Sequence, residues 1–323
     1  MIGSRLALGA TALSLAACAG RTPLPAESAS APELAAEHAG EKNPHGSRPP
    51  VPPDVVERAA APFVGVRADG GELLSPEGLL DELARADLVC VGEDHADPLS
   101  HYAELVVLAG LVERSGMSGR EVGLGLEMVA RPEQSALDGY AKLELDEHEF
   151  LEESHWSERW GWDFAYYRPQ LELARHRGLP LVALNAPRRL TRAVARKGVG
   201  SLERELEREL PELDLGDREH RAWFDETMRG HPHGNPHHLY AAQVVWDETM
   251  AESAARWLGV KLPGRQLVVM AGAGHCRRDA IPGRVLRRLP ARVVSVRAVT
   301  QGDAEAEKRA LGAFDFVLSF EKS

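Results

Sequence analysis

The chain has 323 residues, of which 44% are hydrophobic and 27% are charged, and its formal net charge is −11. This acidic balance, without a long basic run, excludes a general nucleic-acid-binding protein. No stretch approaches the roughly 20 consecutive apolar residues that a membrane-spanning helix needs. The three cysteines are too few for a disulfide framework.

The N-terminus has the layout of a bacterial export signal, predicted to comprise residues 1–17. A single positive charge, Arg5, precedes an apolar stretch at 6–15 that is too short to span a membrane as a helix. Residues 15–18 read Leu-Ala-Ala-Cys, which resembles the lipobox of bacterial lipoproteins; a plain secretory signal is the alternative. The resemblance implies lipidation of Cys18 and anchoring in outer-membrane lipid, facing the periplasm or the cell surface.

A segment rich in proline and alanine, residues 18–58, follows the predicted signal. Eight of the 21 prolines lie between residues 19 and 53, and the first aromatic residue of the chain is Phe63. A segment that buries so few apolar side chains does not offset its ordering entropy, so we expect a disordered tether. The remaining residues, 59–323, are predicted to form one folded domain.

Short apolar runs alternate with helical periodicity throughout this domain. The runs that predict strands are at residues 87–92, 122–127, 180–184, 267–272, 292–296 and, more weakly, 314–320. Helical periodicity is clear at 98–114, 164–177 and 238–258. This alternation indicates an α/β fold with a mostly parallel central sheet and helices on both faces. Residues 188–260 contain no predicted strand and are interpreted as a helical subdomain, in which the spacing of Leu202, Leu206 and Leu210 predicts a surface helix.

Polar side chains lie at the ends of four predicted strands. In chain order they are Glu93, His95, Glu127, Asn185 and His275. Ligands of open α/β sheets bind beyond the carboxyl ends of the strands, so these side chains are expected to share one site. For Glu127 and Asn185 taken singly, the alternative is that they only hold loops in place.

The strand-end residues combine carboxylate oxygens with imidazole nitrogens. This donor set suits Zn²⁺, Mn²⁺ or Fe²⁺, with the tentative ligands Glu93, His95, Glu127 and His275. Such an ion could activate water for hydrolysis. Without a metal, His95 could act as a general base whose tautomer is held by Glu93.

Six short strings along the chain carry a family resemblance. They are Val-Gly-Glu-Asp-His at 91–95, Leu-Glu-Met at 126–128, Tyr-Arg-Pro at 167–169, Leu-Asn-Ala-Pro at 184–187, Ala-Gln at 242–243 with Trp-Asp-Glu-Thr-Met-Ala-Glu at 246–252, and Ala-Gly-Ala-Gly-His at 271–275. In this order and spacing they look like those of the ChaN-like proteins. These are iron-regulated, haem-binding lipoproteins related more distantly to the Tiki proteases and the erythromycin esterases. The resemblance covers about residues 85–300.

The resemblance implies two different functions. In ChaN-like members the implied activity is haem binding at a homodimer interface, linked to iron uptake. The broader superfamily carries two Gly-x-x-His motifs, matched here by residues 92–95 and 272–275, and an acidic residue matched by Glu127. In hydrolytic members these residues are proposed to bind metal or supply the base. We therefore expect a lipid-anchored haem-binding protein, with a metal-dependent hydrolase as the alternative.

Several further residues are candidates for a pocket at this site. His101 falls about one turn into a helix that Asp97 and Pro98 are expected to start. Tyr167 and Arg168 offer a phenol beside a cation that could pair with a haem propionate. The last pair, Gln243 and Asp247, shares one face of a predicted helix.

The haem ligand itself cannot be assigned from the resemblance. Tyrosine or histidine would coordinate the iron, and the tyrosines are Tyr102, Tyr140, Tyr166, Tyr167 and Tyr240. The aromatic residues concentrated at 150–167 either stack on a macrocycle or pack in the core. The four histidines at 231–238 either bind iron, haem or zinc, or lie in a solvated turn.

Cys90 and Cys276 lie near the predicted site. We expect free buried thiols; the alternative, in an oxidising compartment, is a disulfide between adjoining strands. A thiol beside His275 could also join a metal site.

Overall fold

The computed structural model describes residues 63–229 and 234–321 of the chain. The predicted signal, the predicted tether and Cys18 lie outside these ranges, as do His231 and His233. Within the described ranges, no helix combines the length and the apolar character that crossing a bilayer requires.

Eight strands of the described residues form one sheet, in the order β2-β1-β8-β7-β3-β6-β4-β5. Their bounds are β1 Phe63–Arg67, β2 Leu73–Leu74, β3 Leu88–Glu93, β4 Glu121–Ala130, β5 Leu181–Asn185, β6 Arg265–Gly272, β7 Val293–Thr300 and β8 Phe316–Phe320. From β8 to β5 all neighbours are parallel, whereas β1 is antiparallel to both β2 and β8. The predicted α/β class with a mostly parallel sheet is confirmed, and the six predicted strands correspond to β3 to β8.

Twelve α-helices are present in the described ranges. They are α1 Pro76–Ala84, α2 Pro98–Ser118, α3 Gln134–Ala141, α4 Glu147–Glu153, α5 Trp156–Arg159, α6 Arg168–Arg177, α7 Arg188–Lys197, α8 Arg204–Glu207, α9 Arg218–Thr227, α10 Pro236–Gly259, α11 Ile281–Leu286 and α12 Ala304–Ala313. The helical periodicity predicted at 98–114 and 238–258 falls within α2 and α10. At 164–177 a short 3₁₀ turn, Phe164–Tyr166, precedes α6.

The central strand β3 shows why helices cover both faces of the sheet. All six of its residues are buried, and successive side chains of a strand point to opposite faces. Val89 and Val91 join a hydrophobic cluster that includes α2. Leu88 and Cys90 join a second cluster that includes α10. An apolar run without polar alternation is the pattern of a strand buried on both sides.

The start of α2 is fixed by local chemistry. The Asp97 carboxylate accepts hydrogen bonds from the backbone N–H groups of Leu99 at 3.2 Å and Ser100 at 3.1 Å, and Pro98 occupies the first turn. A capping carboxylate satisfies N–H groups that have no partner within the helix. This cap places His101 one turn into α2, facing the end of β3.

The described part of residues 188–260 contains helices α7 to α10 and no strand. The surface helix predicted from three leucines is wrong, because the only helix there, α8, is a single turn. Leu202, Leu206 and Leu210 instead pack against the buried cluster between α7 and α10. The leucine spacing reflects contact with one apolar surface rather than a continuous helix.

Candidate active site at the carboxyl edge of the sheet

Strands β3, β6 and β4 are neighbours, and their carboxyl ends bring the two histidine motifs to one edge. Glu93 at the end of β3 is in register with Gly272 at the end of β6. A Cβ atom on Gly272 would lie 3.0 Å from Cε1 of His95 and 3.5 Å from Oε2 of Glu127. Glycine at this position therefore lets the His95 ring approach the strand closely.

Glu93 is buried, and one of its carboxylate oxygens contacts the side chains of His95 and Tyr167. Its Oε1 lies 2.5 Å from Nδ1 of His95 and accepts a hydrogen bond from the Tyr167 hydroxyl at 3.0 Å. Burial, reinforced by the nearby Glu104 carboxylate, raises the pKa of Glu93 to about 7. Burial alone would lower the pKa of His95, but its contact with Glu93 and the charge of Glu127 raise it.

A second carboxylate and a second imidazole lie behind Glu93. On α2, Nδ1 of His101 is 3.1 Å from Oε2 of Glu104 and 3.4 Å from Oε2 of Glu93. Gln170 of α6 donates to the backbone carbonyl of His101 at 2.7 Å and to Oε2 of Glu104 at 3.3 Å. Burial raises the pKa of Glu104 to about 8.

On the other side of the site, His275 connects two carboxylates. Its Nδ1 lies 2.5 Å from Oδ1 of Asp247, and its Nε2 lies 3.4 Å from Oε1 of Glu127. The other oxygen of Glu127 accepts the backbone N–H of Gly272 at 2.6 Å. Gln243, one turn before Asp247 on α10, places its Nε2 3.2 Å from Nδ1 of His275. Asp247 thus orients the ring and leaves Nε2 facing the sheet edge.

Asp247 is held from behind by a second histidine. His220 of α9 places Nε2 3.1 Å from Oδ2 of Asp247. Its Nδ1 lies 3.4 Å from an Nη2 donor of Arg284 and therefore acts as an acceptor, which puts the ring proton on Nε2, facing Asp247. Burial would raise the pKa of Asp247, but His275 and His220 lower it to well below its ordinary value.

The charge state of His275 predicts a pH dependence of stability. Burial would lower its pKa, but Glu127 and Asp247 raise it from 6.5 to about 9. A raised folded-state pKa stabilises the fold fully below pH 6.5, and this contribution is lost as the pH rises through about 9. We expect the free energy of unfolding to fall by on the order of 1–3 kcal/mol between pH 6.5 and 9.5 from this group.

The measurement is chemical denaturation at several pH values across that window. Glu93 and Glu104, whose pKa values are also raised, contribute to the wild-type slope, so the comparison is with His275→Gln. A pH slope as steep in His275→Gln as in the wild type would contradict the assignment.

Comparisons with known proteins identify the family. A family model described as haem-binding uptake, Tiki superfamily, ChaN matches residues 79–285. The chain belongs to this family. A solved structure described as cofacial haem binding to ChaN of Campylobacter jejuni matches with a TM-score of 0.64 at 18% identity, over 81% of this chain and 98% of that chain. At this identity the likeness to ChaN shows a shared fold.

Two further comparisons concern a second solved structure and the curated proteins. An erythromycin esterase variant solved in its open conformation matches with a TM-score of 0.47 at 12% identity, over 80% of this chain and 97% of that chain. A search of curated proteins finds no significant match.

One cluster of this ChaN-family chain brings three candidate metal ligands together. Among residues 63–229 and 234–321, one group of three candidate ligands has its donor atoms within 4.8 Å of one another, and it consists of Glu93, His101 and Glu104. The predicted ligands His95 and His275 turn Nδ1 to Glu93 and Asp247, respectively, so a metal at the predicted set would be bound through Nε2, and that site stays a prediction. Of that set, only Glu93 belongs to the observed group.

Two predicted residues lie outside the cluster of acids and imidazoles. Asn185 donates to the backbone carbonyl of Glu127 at 2.7 Å and accepts the N–H of Ala186 at 2.8 Å, so it holds the loop after β5. Arg168 donates to both carboxylate oxygens of Glu147, at 2.8 and 2.7 Å, on the surface. Its neighbour Tyr167 points inward to Glu93.

The aromatic segment divides between the core and the site. Phe150, Trp156 and Phe164 are buried in the main cluster. Trp160 and Trp162 instead flank His95, with ring centroids 4.7 and 5.6 Å from the imidazole. In the histidine-rich segment, His237 is exposed and His238 is half-buried at the start of α10.

Three buried residues of the site were not predicted. Glu104, Gln170 and His220 are at most 1% exposed. The available signal was spacing: Glu104 follows His101 by three residues on α2, and Gln170 follows Tyr167 by three, so each pair shares a face. No residue predicted for the site shares the helix of His220, α9.

A disulfide links Cys90 of β3 to Cys276, the residue after His275, and both half-cystines are fully buried. The expectation of free thiols is therefore wrong. The bond joins β3 to the loop that follows the adjacent strand β6, so it links the two segments that carry the histidine motifs.

Proposed function

We propose that the protein binds haem and serves haem or iron uptake. The match of the ChaN family model to residues 79–285 carries this proposal. The fold shared with ChaN, which covers 98% of that chain, supports it.

The surroundings of the tyrosines narrow the candidate iron ligands. Tyr140, Tyr167 and Tyr240 are at most 3% exposed, and their hydroxyls contact Glu172, Glu93 and Asp217, respectively. Tyr102 and Tyr166 are half-buried, and the Tyr166 ring stacks on His101 with centroids 4.9 Å apart. We infer that the candidate axial ligands among the tyrosines are Tyr102 and Tyr166.

Titration of haemin into the purified full chain tests the proposal. We expect a Soret band that shifts from that of free haemin and saturates at stoichiometric haem. Tyr102→Phe and Tyr166→Phe serve as controls for each other, because each removes one hydroxyl. The variant that lacks the iron ligand is expected to lose the Soret shift, and the other is expected to keep it. Sedimentation with and without haem tests the proposed homodimer. A titration that stays flat at micromolar haemin contradicts haem binding.

Membrane anchoring through Cys18 is a second part of the proposal. Its support is the Leu-Ala-Ala-Cys string at 15–18, together with the buried disulfide, since disulfides form and persist in oxidising compartments such as the periplasm. We expect palmitate to label the wild-type protein in a bacterial host and to be absent from Cys18→Ala. Equal labelling of the two proteins contradicts lipidation at Cys18.

A hydrolase is the second candidate function. The observation that favours it is two carboxylate-oriented imidazoles on adjacent strands, Glu93 with His95 and Asp247 with His275. Such a pair is a general-base arrangement. Hydrolysis of ester or peptide probes by the wild type, lost in both His95→Gln and His275→Gln, would support it. Hydrolysis unchanged in both variants would assign the activity to a contaminant.

A further inference from the structure

A second polar cluster lies beneath the sheet edge and shares Glu93 with the first histidine motif. We call Glu93, His101 and Glu104 the inner group. His101 and Glu104 are one turn apart on α2 and face the end of β3. Their side chains and that of Glu93 are at most 5% exposed. Two carboxylates and an imidazole are thus enclosed together in an apolar interior.

The tautomer of His101 follows from its outward contact. Nε2 lies 3.2 Å from the backbone carbonyl oxygen of His95. A carbonyl oxygen only accepts, so Nε2 carries a proton and donates it. In the neutral ring, Nδ1 then has a lone pair. That lone pair points at Oε2 of Glu104, 3.1 Å away, and lies 3.4 Å from Oε2 of Glu93.

Three electron-pair donors therefore face one another, and one oxygen of each carboxylate has no protein donor. Oε2 of Glu93 and Oε1 of Glu104 are buried without a hydrogen-bond partner. Arg297, whose charge acts on Glu104, uses its guanidinium to bind Asp94 at 2.5 Å and the carbonyl of Gly92 at 2.9 Å. Converging buried lone pairs of this kind are costly unless a cation lies between them.

We propose that the inner group binds a divalent transition-metal ion through Glu93, His101 and Glu104. Two ligands that are each about 2.1 Å from a tetrahedral ion lie about 3.4 Å apart, and the two separations from Nδ1 of His101 are 3.1 and 3.4 Å. One nitrogen with carboxylate oxygens is a donor set for Zn²⁺, Mn²⁺ or Fe²⁺. The inference does not depend on haem binding.

The surrounding hydrogen bonds orient these ligands. Tyr167 donates to the oxygen of Glu93 that faces away from His101, and Gln170 donates to Glu104. The carbonyl of His95 fixes the His101 ring. Metal ligands are commonly held by such a second layer of donors and acceptors. With its ligands enclosed, the ion would tie α2 to β3 and hold Glu93, which in turn positions His95.

Metal analysis of four variants tests the assignment. The purified full chain is stripped with a chelator, reloaded with Zn²⁺ or Mn²⁺ alone, and analysed for bound metal. His101→Gln and Glu104→Gln alter the inner group, while His275→Gln and Glu127→Gln make the same chemical changes at the other side of the site. We expect one ion per chain in the wild type, retained in the second pair and weakened at least tenfold in the first.

Two outcomes overturn the proposal. The first is a wild-type protein that binds no metal at micromolar Zn²⁺ or Mn²⁺. In that case the inner group holds a shared proton instead of a metal ion. Metal lost in His275→Gln and Glu127→Gln but retained in Glu104→Gln assigns the ion to the histidine motifs. Circular dichroism establishes that each variant is folded.

If the inner-group variants do not fold, the His275→Gln protein decides the question by itself. Loaded with Co²⁺, it is expected to show the visible d–d bands of a cobalt ion with nitrogen and oxygen ligands, together with a metal-dependent rise in Tm. A spectrum no different from aqueous Co²⁺, with an unchanged Tm, overturns the proposal.

Discussion

Replacing Asp247 with alanine is expected to lower the free energy of unfolding by about 3–5 kcal/mol. The Asp247 side chain is fully buried and lies between the imidazoles of His275 and His220. Its removal leaves His275 without the carboxylate that holds its Nδ1 proton, and leaves His220 facing a cavity. Removing one partner of a buried charged pair is costly because the other partner cannot regain solvent.

Chemical denaturation of two variants measures this effect. Asp225→Ala is the matched control, since Asp225 pairs with Arg221 on the exposed surface of α9 and its loss is expected to cost under about 1 kcal/mol. Asp247→Asn keeps the shape of the side chain and removes the charge, so its cost separates packing from charge. If the free energy of unfolding of Asp247→Ala lies within about 1 kcal/mol of that of Asp225→Ala, the contacts of Asp247 with His275 and His220 do not stabilise the fold.

Loss of the Cys90–Cys276 disulfide is expected to lower the free energy of unfolding by about 2–5 kcal/mol. The two residues are 186 positions apart, so the bond closes a long loop and restricts the unfolded chain strongly. The measurement compares denaturation of the wild type with and without a thiol reductant. Because both half-cystines are buried, reduction is expected to require unfolding of the surrounding strands.

A double variant, Cys90→Ala with Cys276→Ala, controls for other effects of the reductant. Its stability is expected to equal that of the reduced wild type, apart from the packing lost with two sulfur atoms, and to be unaffected by reductant. A wild type whose stability is the same with and without reductant would contradict a stabilising disulfide.

The parallel part of the sheet was predictable because each of its strands is a short run of apolar residues. The antiparallel strands β1 and β2 were missed for a physical reason. β2 has two residues, and β1 reads Phe-Val-Gly-Val-Arg at the sheet periphery. Such short edge segments form because β8 offers an unpaired side, which is a property of the assembled sheet rather than of the segment.

Part of the site was predictable, from strand ends and from positions along single helices. Glu93 ends β3, Glu127 lies within β4 near its end, and His95 and His275 follow β3 and β6, so the four meet at one edge. Asn185 ends β5 but turns its side chain to the backbone. Position at an edge does not determine side-chain direction. Glu104 shares a helix face with the predicted His101. His220 depends on how α9 packs against α10, and such long-range packing has no local sequence signal.

The sheet order has a consequence for how the protein is made. β3 lies between β7 and β6, and both of these strands come from the C-terminal third of the chain. While the protein is being synthesised, β3 leaves the ribosome with neither neighbour available, and its apolar residues and backbone groups stay unpaired until residues 265–300 follow. Unpaired strand edges of this kind are prone to aggregate. We expect the nascent chain to need chaperone protection until β6 and β7 are complete, and the whole carboxyl edge to assemble as a late step of folding.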